Sequence, residues 1–126
     1  VINGGTNDVA EMNGPYVLEN TLNNIISMVN IAKANNIKIV LTSVLPTNSF
    51  AWKPKIKPID KIIELNDKLK EYATKNNIVS LDYYTPLVDE NKGLKKELTK
   101  DGVHPTLAGY QIMAPLTEKA IEKASK

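Results

Sequence analysis

Residues 37–45, Ile-Lys-Ile-Val-Leu-Thr-Ser-Val-Leu, form a β-branched and nearly continuous apolar run that stops at Pro46. A run of this kind, without regular polar alternation, reads as a strand buried on both faces. Such strands belong to parallel sheets covered by helices, and parallel pairing requires a crossover between successive strands. The flanking sequence supplies those crossovers. Over 16–35, Leu18, Leu22, Ile25, Val29 and Ala32 keep helical spacing on one face, with Glu19, Asn23 and Lys33 off it. Over 59–76, Ile62, Leu65, Leu69 and Tyr72 do the same. Asn35-Asn36 and Asn76-Asn77 close the two helices.

Two shorter apolar stretches complete the pattern. Ile78–Leu81 reads as a short buried strand, and Val1–Asn3 as the end of a strand running into Gly4-Gly5. Pro86 to Lys100 is loop, with a helical turn at Leu87-Val88. A last helix is expected over 107–124, kinked or broken near Ala114 by Pro115. The order is strand, helix, strand, helix, strand, loop, helix, which predicts an α/β fold with parallel strands and right-handed crossovers. The opening on a strand end, with neither Met nor signal peptide, leads to the expectation that residue 1 lies inside a domain. The lack of a targeting segment then carries no information.

Composition excludes several classes. The chain has 126 residues and a net charge of +2, too small an excess for a nucleic-acid partner. All sixteen basic residues are Lys, which argues against a bidentate Arg clamp for phosphate or carboxylate. With no Cys and one His, the chain has neither disulfides nor a good zinc ligand set, and no metal site is expected. No apolar run approaches the ~18 residues of a membrane span.

Chemistry concentrates in two polar loops. Asp101-Gly102-Val103-His104-Pro105 holds the only histidine, in a tight-loop composition just ahead of the last helix. An Asp three residues before a His can turn back onto the imidazole Nδ1–H, fixing the tautomer and stabilising the imidazolium. A solvated loop is the plain alternative. Gly4-Gly5-Thr6-Asn7-Asp8 lies at the carboxyl end of the first strand, where open α/β sheets place their sites. Asn7 brings a neutral donor able to face an oxyanion, although these residues also make ordinary turns. Phe50 and Trp52, the only Phe and Trp, fall in the loop after Pro46. They can wall a cleft or plug one end of the core.

Gly5-Thr6-Asn7-Asp8 and Asp101-Gly102-Val103-His104-Pro105 resemble the third and fifth sequence blocks of the SGNH (GDSL-type) hydrolase superfamily. Val44-Leu45-Pro46, Phe50-Ala51-Trp52 and Gly109-Tyr110 with Met113, Pro115 and Leu116 extend the likeness to its acylhydrolase branch common in Bacteroidetes. The resemblance covers essentially the whole chain. It implies a three-layer α/β/α, flavodoxin-like fold, of which residues 1–126 are the C-terminal portion of a single domain. It also implies that His104 is the general base, Asp101 its orienting carboxylate and Asn7 an oxyanion-hole donor, with no cofactor. The Gly-Asp-Ser block with the nucleophile has no counterpart here. Ser27, Ser43, Ser80 and Ser125 are placed in regular structure or at the terminus, and Ser49 lacks elbow-like surroundings.

The expected reaction is acyl transfer from a short-chain ester, such as acetyl on a sugar, with the serine supplied from outside this chain. Phe50 and Trp52 are candidate substrate contacts. The first strand would present an open edge, closed by a serine-bearing segment or by self-association. A different class of function also fits: a non-catalytic carbohydrate-binding or interaction module using Phe50, Trp52, Tyr83 and Tyr84 as a stacking surface.

Overall fold

Two Asn-Asn pairs decide where the covering helices stop. The computed structural model describes residues 1–126, with helix α1 over Thr6–Val9, α2 over Leu18–Ala34 and α3 over Pro58–Lys75. After α2, Asn36 takes φ 58°, and after α3, Asn77 takes φ 54°. Asparagine enters this left-handed region more cheaply than other side-chain-bearing residues. Each turn is closed in the same way: Ile37 N–H donates to Ala32 C=O, and Ile78 N–H to Ala73 C=O, both at 2.9 Å. These bonds satisfy helix-end carbonyls and aim the chain at the sheet.

The cap shortens the strand that follows. Ile37 is held in the turn and is 59% exposed, so the strand expected over Ile37–Leu45 narrows to β1, Val40–Thr42. At its far end, Ser43 N–H still donates to Leu81 C=O at 2.9 Å. Val44 turns instead to a side chain of α3. Its N–H donates to Asn66 Oδ1 at 2.7 Å, and Asn66 Nδ2 donates to its C=O at 3.0 Å. One amide side chain thus stands in for a missing strand. Asn66→Ala leaves both groups of buried Val44 unpaired, and a loss of about 1–3 kcal/mol is expected. Urea unfolding with an unchanged m-value checks this.

The sheet is parallel throughout. β2 (Val79–Leu81) pairs with β1 in the register Val40↔Val79, Leu41↔Ser80, Thr42↔Leu81. On the other side of β1 the expected strand Val1–Asn3 contributes a single bridging residue, Ile2 opposite Leu41. Ile2 N–H donates to Val40 C=O (2.8 Å), and Thr42 N–H donates to Ile2 C=O (3.0 Å). In a parallel ladder the neighbours of such a residue point the other way. The polar groups of Val1 and Asn3 therefore face outward along an unpaired edge.

Strand alternation builds two cores. Leu41 points into a cluster with Ile25 of α2 and Ile62, Leu65 and Leu69 of α3, joined by Val9, Phe50 and Val103. Val40 and Leu81 point the other way, onto Met113 and Ala120 of α5 (Leu107–Ser125) and onto Tyr83, Leu87, Leu94 and Leu98. Each fully buried large apolar side chain contributes roughly 1.5–3 kcal/mol. The result is the three-layer α/β/α arrangement expected, with α2 and α3 over one face and α5 over the other. The helical turn expected at Leu87-Val88 comes earlier, as α4 over Tyr84–Leu87, while Val88 is extended and bridges to Leu94.

Pro115 does not break α5, which runs through it without interruption. Both Pro115 and Gln111, whose C=O loses its helix partner, lie on the exposed side. Water can satisfy that carbonyl, so the missing N–H has no buried consequence. Beside the open edge, Tyr110, Ala114 and Thr117 of α5 line a groove of about 490 Å³ together with Asn3 and Tyr83. Leu107, Tyr110 and Ile121 are 74%, 54% and 45% exposed.

Candidate active site

The loop ahead of α5 folds around Asp101. Its Oδ1 accepts from the backbone N–H of Val103 (2.8 Å) and of His104 (2.7 Å). Its Oδ2 lies 2.6 Å from His104 Nδ1. One carboxylate therefore shapes its own loop and holds the imidazole. The His104 backbone N–H, the imidazole and the Val103 N–H together hold the Asp101 carboxyl well below the usual carboxylate range. An ionised carboxylate can only accept, so Nδ1 carries the proton, and in the neutral imidazole Nε2 is then the nitrogen with the lone pair. The His104 side chain is 74% exposed, leaving Nε2 open at the rim.

Three further residues, given no role by sequence reasoning, hold this loop in place. Thr99 Oγ1 donates to His104 C=O at 2.8 Å and accepts from Gly102 N–H at 3.0 Å. Buried Thr47 offers its hydroxyl to Gly102 C=O at 2.8 Å and to Ser49 C=O at 3.0 Å. Gly109 lets α5 approach closely: a Cβ there would lie 2.8 Å from Pro105 Cβ and 3.2 Å from the Leu98 carbonyl oxygen. A threonine two residues before the Asp is a weak signal for the first of these. Gly109 belongs to the Gly-Tyr pair quoted for the family likeness, whereas Thr47 acts across 55 positions and has no signal in the sequence.

The loop that follows β1 behaves differently at its two aromatics. Phe50 is fully buried, packed in the same cluster as Val103, Val9 and Ala10. The expectation that Phe50 contacts substrate is therefore corrected: it plugs the core beneath the rim, because its position in the cluster leaves no face for a ligand. Trp52 leans on it with ring centroids 5.4 Å apart and is 49% exposed. Tyr83, also named as a stacking surface, is buried, with its hydroxyl hydrogen-bonded to Thr117 Oγ1.

Asn7 lies in α1, immediately after Gly5, with its side chain exposed. The segment that carries it is fixed by Val9 and Ala10, which share a buried cluster with Phe50 and Val103. Val9, Phe50 and Val103 thus tie the segments carrying Asn7, Trp52 and His104 into one buried cluster. Burial, and then the carboxylates of Glu64 and Asp8, push the Tyr16 phenol up to about 12, so it is neutral near neutral pH.

The serines bond elsewhere. Ser27 and Ser125 donate to carbonyls of their own helices. Ser43, just beyond β1 rather than in a strand, accepts from the Tyr83 and Tyr84 N–H groups through Oγ. Ser49 donates to its neighbour Asn48. A cavity of about 420 Å³ between α3 and β2, lined by Asn66, Lys70 and Asp82 among others, excludes the Asp101–His104 pair.

Residues 1–112 match the model of the GDSL-like lipase/acylhydrolase family. The chain belongs to that family. Solved structures agree. A Bacteroides fragilis protein assigned as an acylhydrolase superposes with TM-score 0.96 at 49% identity, over 99% of this chain and 61% of that one. A GDSL-like lipase from Bacteroides thetaiotaomicron gives TM-score 0.93 at 53% identity, over 98% of this chain and 61% of that one. A lipolytic protein of the G-D-S-L family from Desulfitobacterium hafniense gives 0.76 at 26% identity, over 94% and 62%. This GDSL-like chain thus spans about three-fifths of the length of these relatives.

Proposed function

We propose that the protein is a serine ester hydrolase for which this chain supplies the general base, its orienting carboxylate and one oxyanion donor. The observation that carries this reading is the Asp101–His104 pair, 2.6 Å apart, with Nε2 free at the rim. A serine from a segment outside residues 1–126 attacks the ester carbonyl while His104 Nε2 takes its proton. Asp101 stabilises the imidazolium, and the Asn7 amide donates to the tetrahedral oxyanion. His104 then returns the proton to the leaving alcohol, and water releases the acid by the same route reversed. Short acyl groups on carbohydrates are the proposed substrates.

Labelling with a serine-directed fluorophosphonate tests this assignment. The 126-residue chain alone is expected to take up none. The protein containing the serine-bearing segment is expected to label stoichiometrically and to lose that label with His104→Ala. Stoichiometric labelling of the chain alone, or unchanged labelling of the variant, overturns the assignment.

The same reading requires a companion for the edge at Val1–Asn3. The outward-facing backbone of that edge and the apolar flank of α5 favour a serine-bearing segment there, or a second copy when none is supplied. Sedimentation of the 126-residue chain is expected to show concentration-dependent association. A cooperative monomer over a wide concentration range argues that the edge needs no partner.

A further inference from the structure

Residues 52–61 carry four lysines, Lys53, Lys55, Lys57 and Lys61, against one carboxylate, Asp60. The chain as a whole has an excess of only two positive charges, so this short segment is unusually cationic for its surroundings. Lys61 lies 3.9 Å from Glu11, and Lys68 and Lys75 pair with Glu71. Lys53 and Lys57 meet only backbone carbonyls, of Glu11 and of Pro54 at 3.4 Å. Their charges keep no acidic counterpart. At the start of the segment stands Trp52, the chain's single tryptophan, half-exposed and propped on buried Phe50.

These side chains border an open groove of about 560 Å³ between Trp52, Lys53, Pro54, Lys55 and Ile56 on one side and Glu11, Gly14 and Pro15 on the other. The Glu11 carboxylate is already engaged, by Lys61 at 3.9 Å and by the Tyr16 N–H at 3.1 Å, so the groove keeps an excess of positive charge. Its walls are preset. Lys53 N–H donates to Phe50 C=O at 3.0 Å, and Ile56 N–H to Lys53 C=O at 3.1 Å, giving two consecutive turns stiffened by Pro54. A preset wall loses little freedom when a ligand arrives. The loop is also the one that Thr47 ties to Gly102, two residues before His104.

We propose that this groove is a subsite for an acidic glycan, with the indole face of Trp52 stacking on a sugar ring and the unpaired lysines meeting its carboxylates. The substrate class of the enzyme is then an esterified polymer of uronic-acid type. This deepens, and rests on, the carbohydrate-ester reading above. Three observations converge on it: an exposed aromatic platform, cations lacking acidic partners, and a covalent and hydrogen-bonded link to the His104 loop. A chain without arginine makes no bidentate clamp, so recognition rests on diffuse ammonium charge and is sensitive to salt.

Binding can be read without turnover. Isothermal titration on the protein that contains this chain, with oligogalacturonate and a neutral xylo-oligosaccharide of equal length, gives the comparison. Oligogalacturonate is expected to bind at least about tenfold more tightly than the neutral oligomer, and to weaken at least about threefold between roughly 50 and 300 mM salt. Trp52→Ala is expected to weaken it about tenfold or more, and Lys55→Gln about threefold. Equal affinity for the neutral oligomer, no saturation by oligogalacturonate, or equal affinity for single-stranded DNA overturns the proposal. Hydrolysis of p-nitrophenyl acetate by the same preparation reports on the esterase reading separately, so either can fail alone.

Discussion

His104→Ala is expected to lower ester hydrolysis by about four to six orders of magnitude in kcat/KM, leaving what binding and the oxyanion donors supply. The chain offers no second imidazole, and the one serine hydroxyl directed at a carboxylate, Ser43 to Asp82 Oδ1 at 3.5 Å, also accepts from two backbone N–H groups. Asp101→Asn separates the two tasks of the carboxylate. The isosteric amide can keep the backbone contacts to Val103 and His104 through its oxygen, but it cannot hold Nδ1 protonated as an anion does. A loss of about 10⁴ with little change in stability is expected. Because Asp101 is held ionised well below the ordinary carboxylate range, its protonation does not set the acid limb of the rate profile. Its contribution to stability is present above the unfolded carboxylate value and is lost only as the pH falls far below it. Near-normal turnover by His104→Ala in a steady-state assay removes the residue from the mechanism.

The largest expected change in stability lies at Gly5. Its φ of 125° is outside the region that side-chain-bearing residues readily adopt, and a Cβ there would stand 2.9 Å from Leu65 Cδ2 and 3.1 Å from Val44 Cγ2. Both neighbours are fully buried, so neither gives way without opening the core. Gly5→Ala is expected to cost about 2–4 kcal/mol from backbone strain and overpacking combined, roughly a 10 °C fall in Tm. Gly4 has nothing within 4 Å and no positive φ, so Gly4→Ala is the matched control, expected within about 1 kcal/mol of the starting protein. Calorimetry on the pair checks the contrast. Equal Tm values for the two variants would show that the turn after Ile2 accommodates a side chain. Since Gly5 directly precedes the turn carrying Asn7, its substitution is also expected to lower turnover.

The Phe50 result bears on how the site is reached. With Phe50 withdrawn into the core, Trp52 is the exposed aromatic of its loop. A substrate that stacks there meets one platform rather than a sandwich. Phe50 acts on the rim from below, through the cluster it shares with Val103.

What the amino-acid order determined by itself is local or periodic. Helices over α2, α3 and α5 follow from apolar residues at helical spacing, and their stops from Asn-Asn pairs that tolerate a left-handed residue. The Asp101–His104 contact spans three residues of one tight loop, so its geometry too could be read before any fold was known. Tertiary structure decided everything that depends on a distant neighbour. β1 is three residues long because one end of its run is taken by a helix cap and the other by Asn66, 22 positions from Val44. Pro115 stays inside a continuous helix because its unpaired carbonyl partner faces water. Phe50 and Trp52, two residues apart, part company because one side of their loop lies on Val103 and the other does not. The bond from Thr47 to Gly102 crosses 55 positions. Spacing along the chain encodes which face a residue takes; only packing determines whether another part of the chain already covers it.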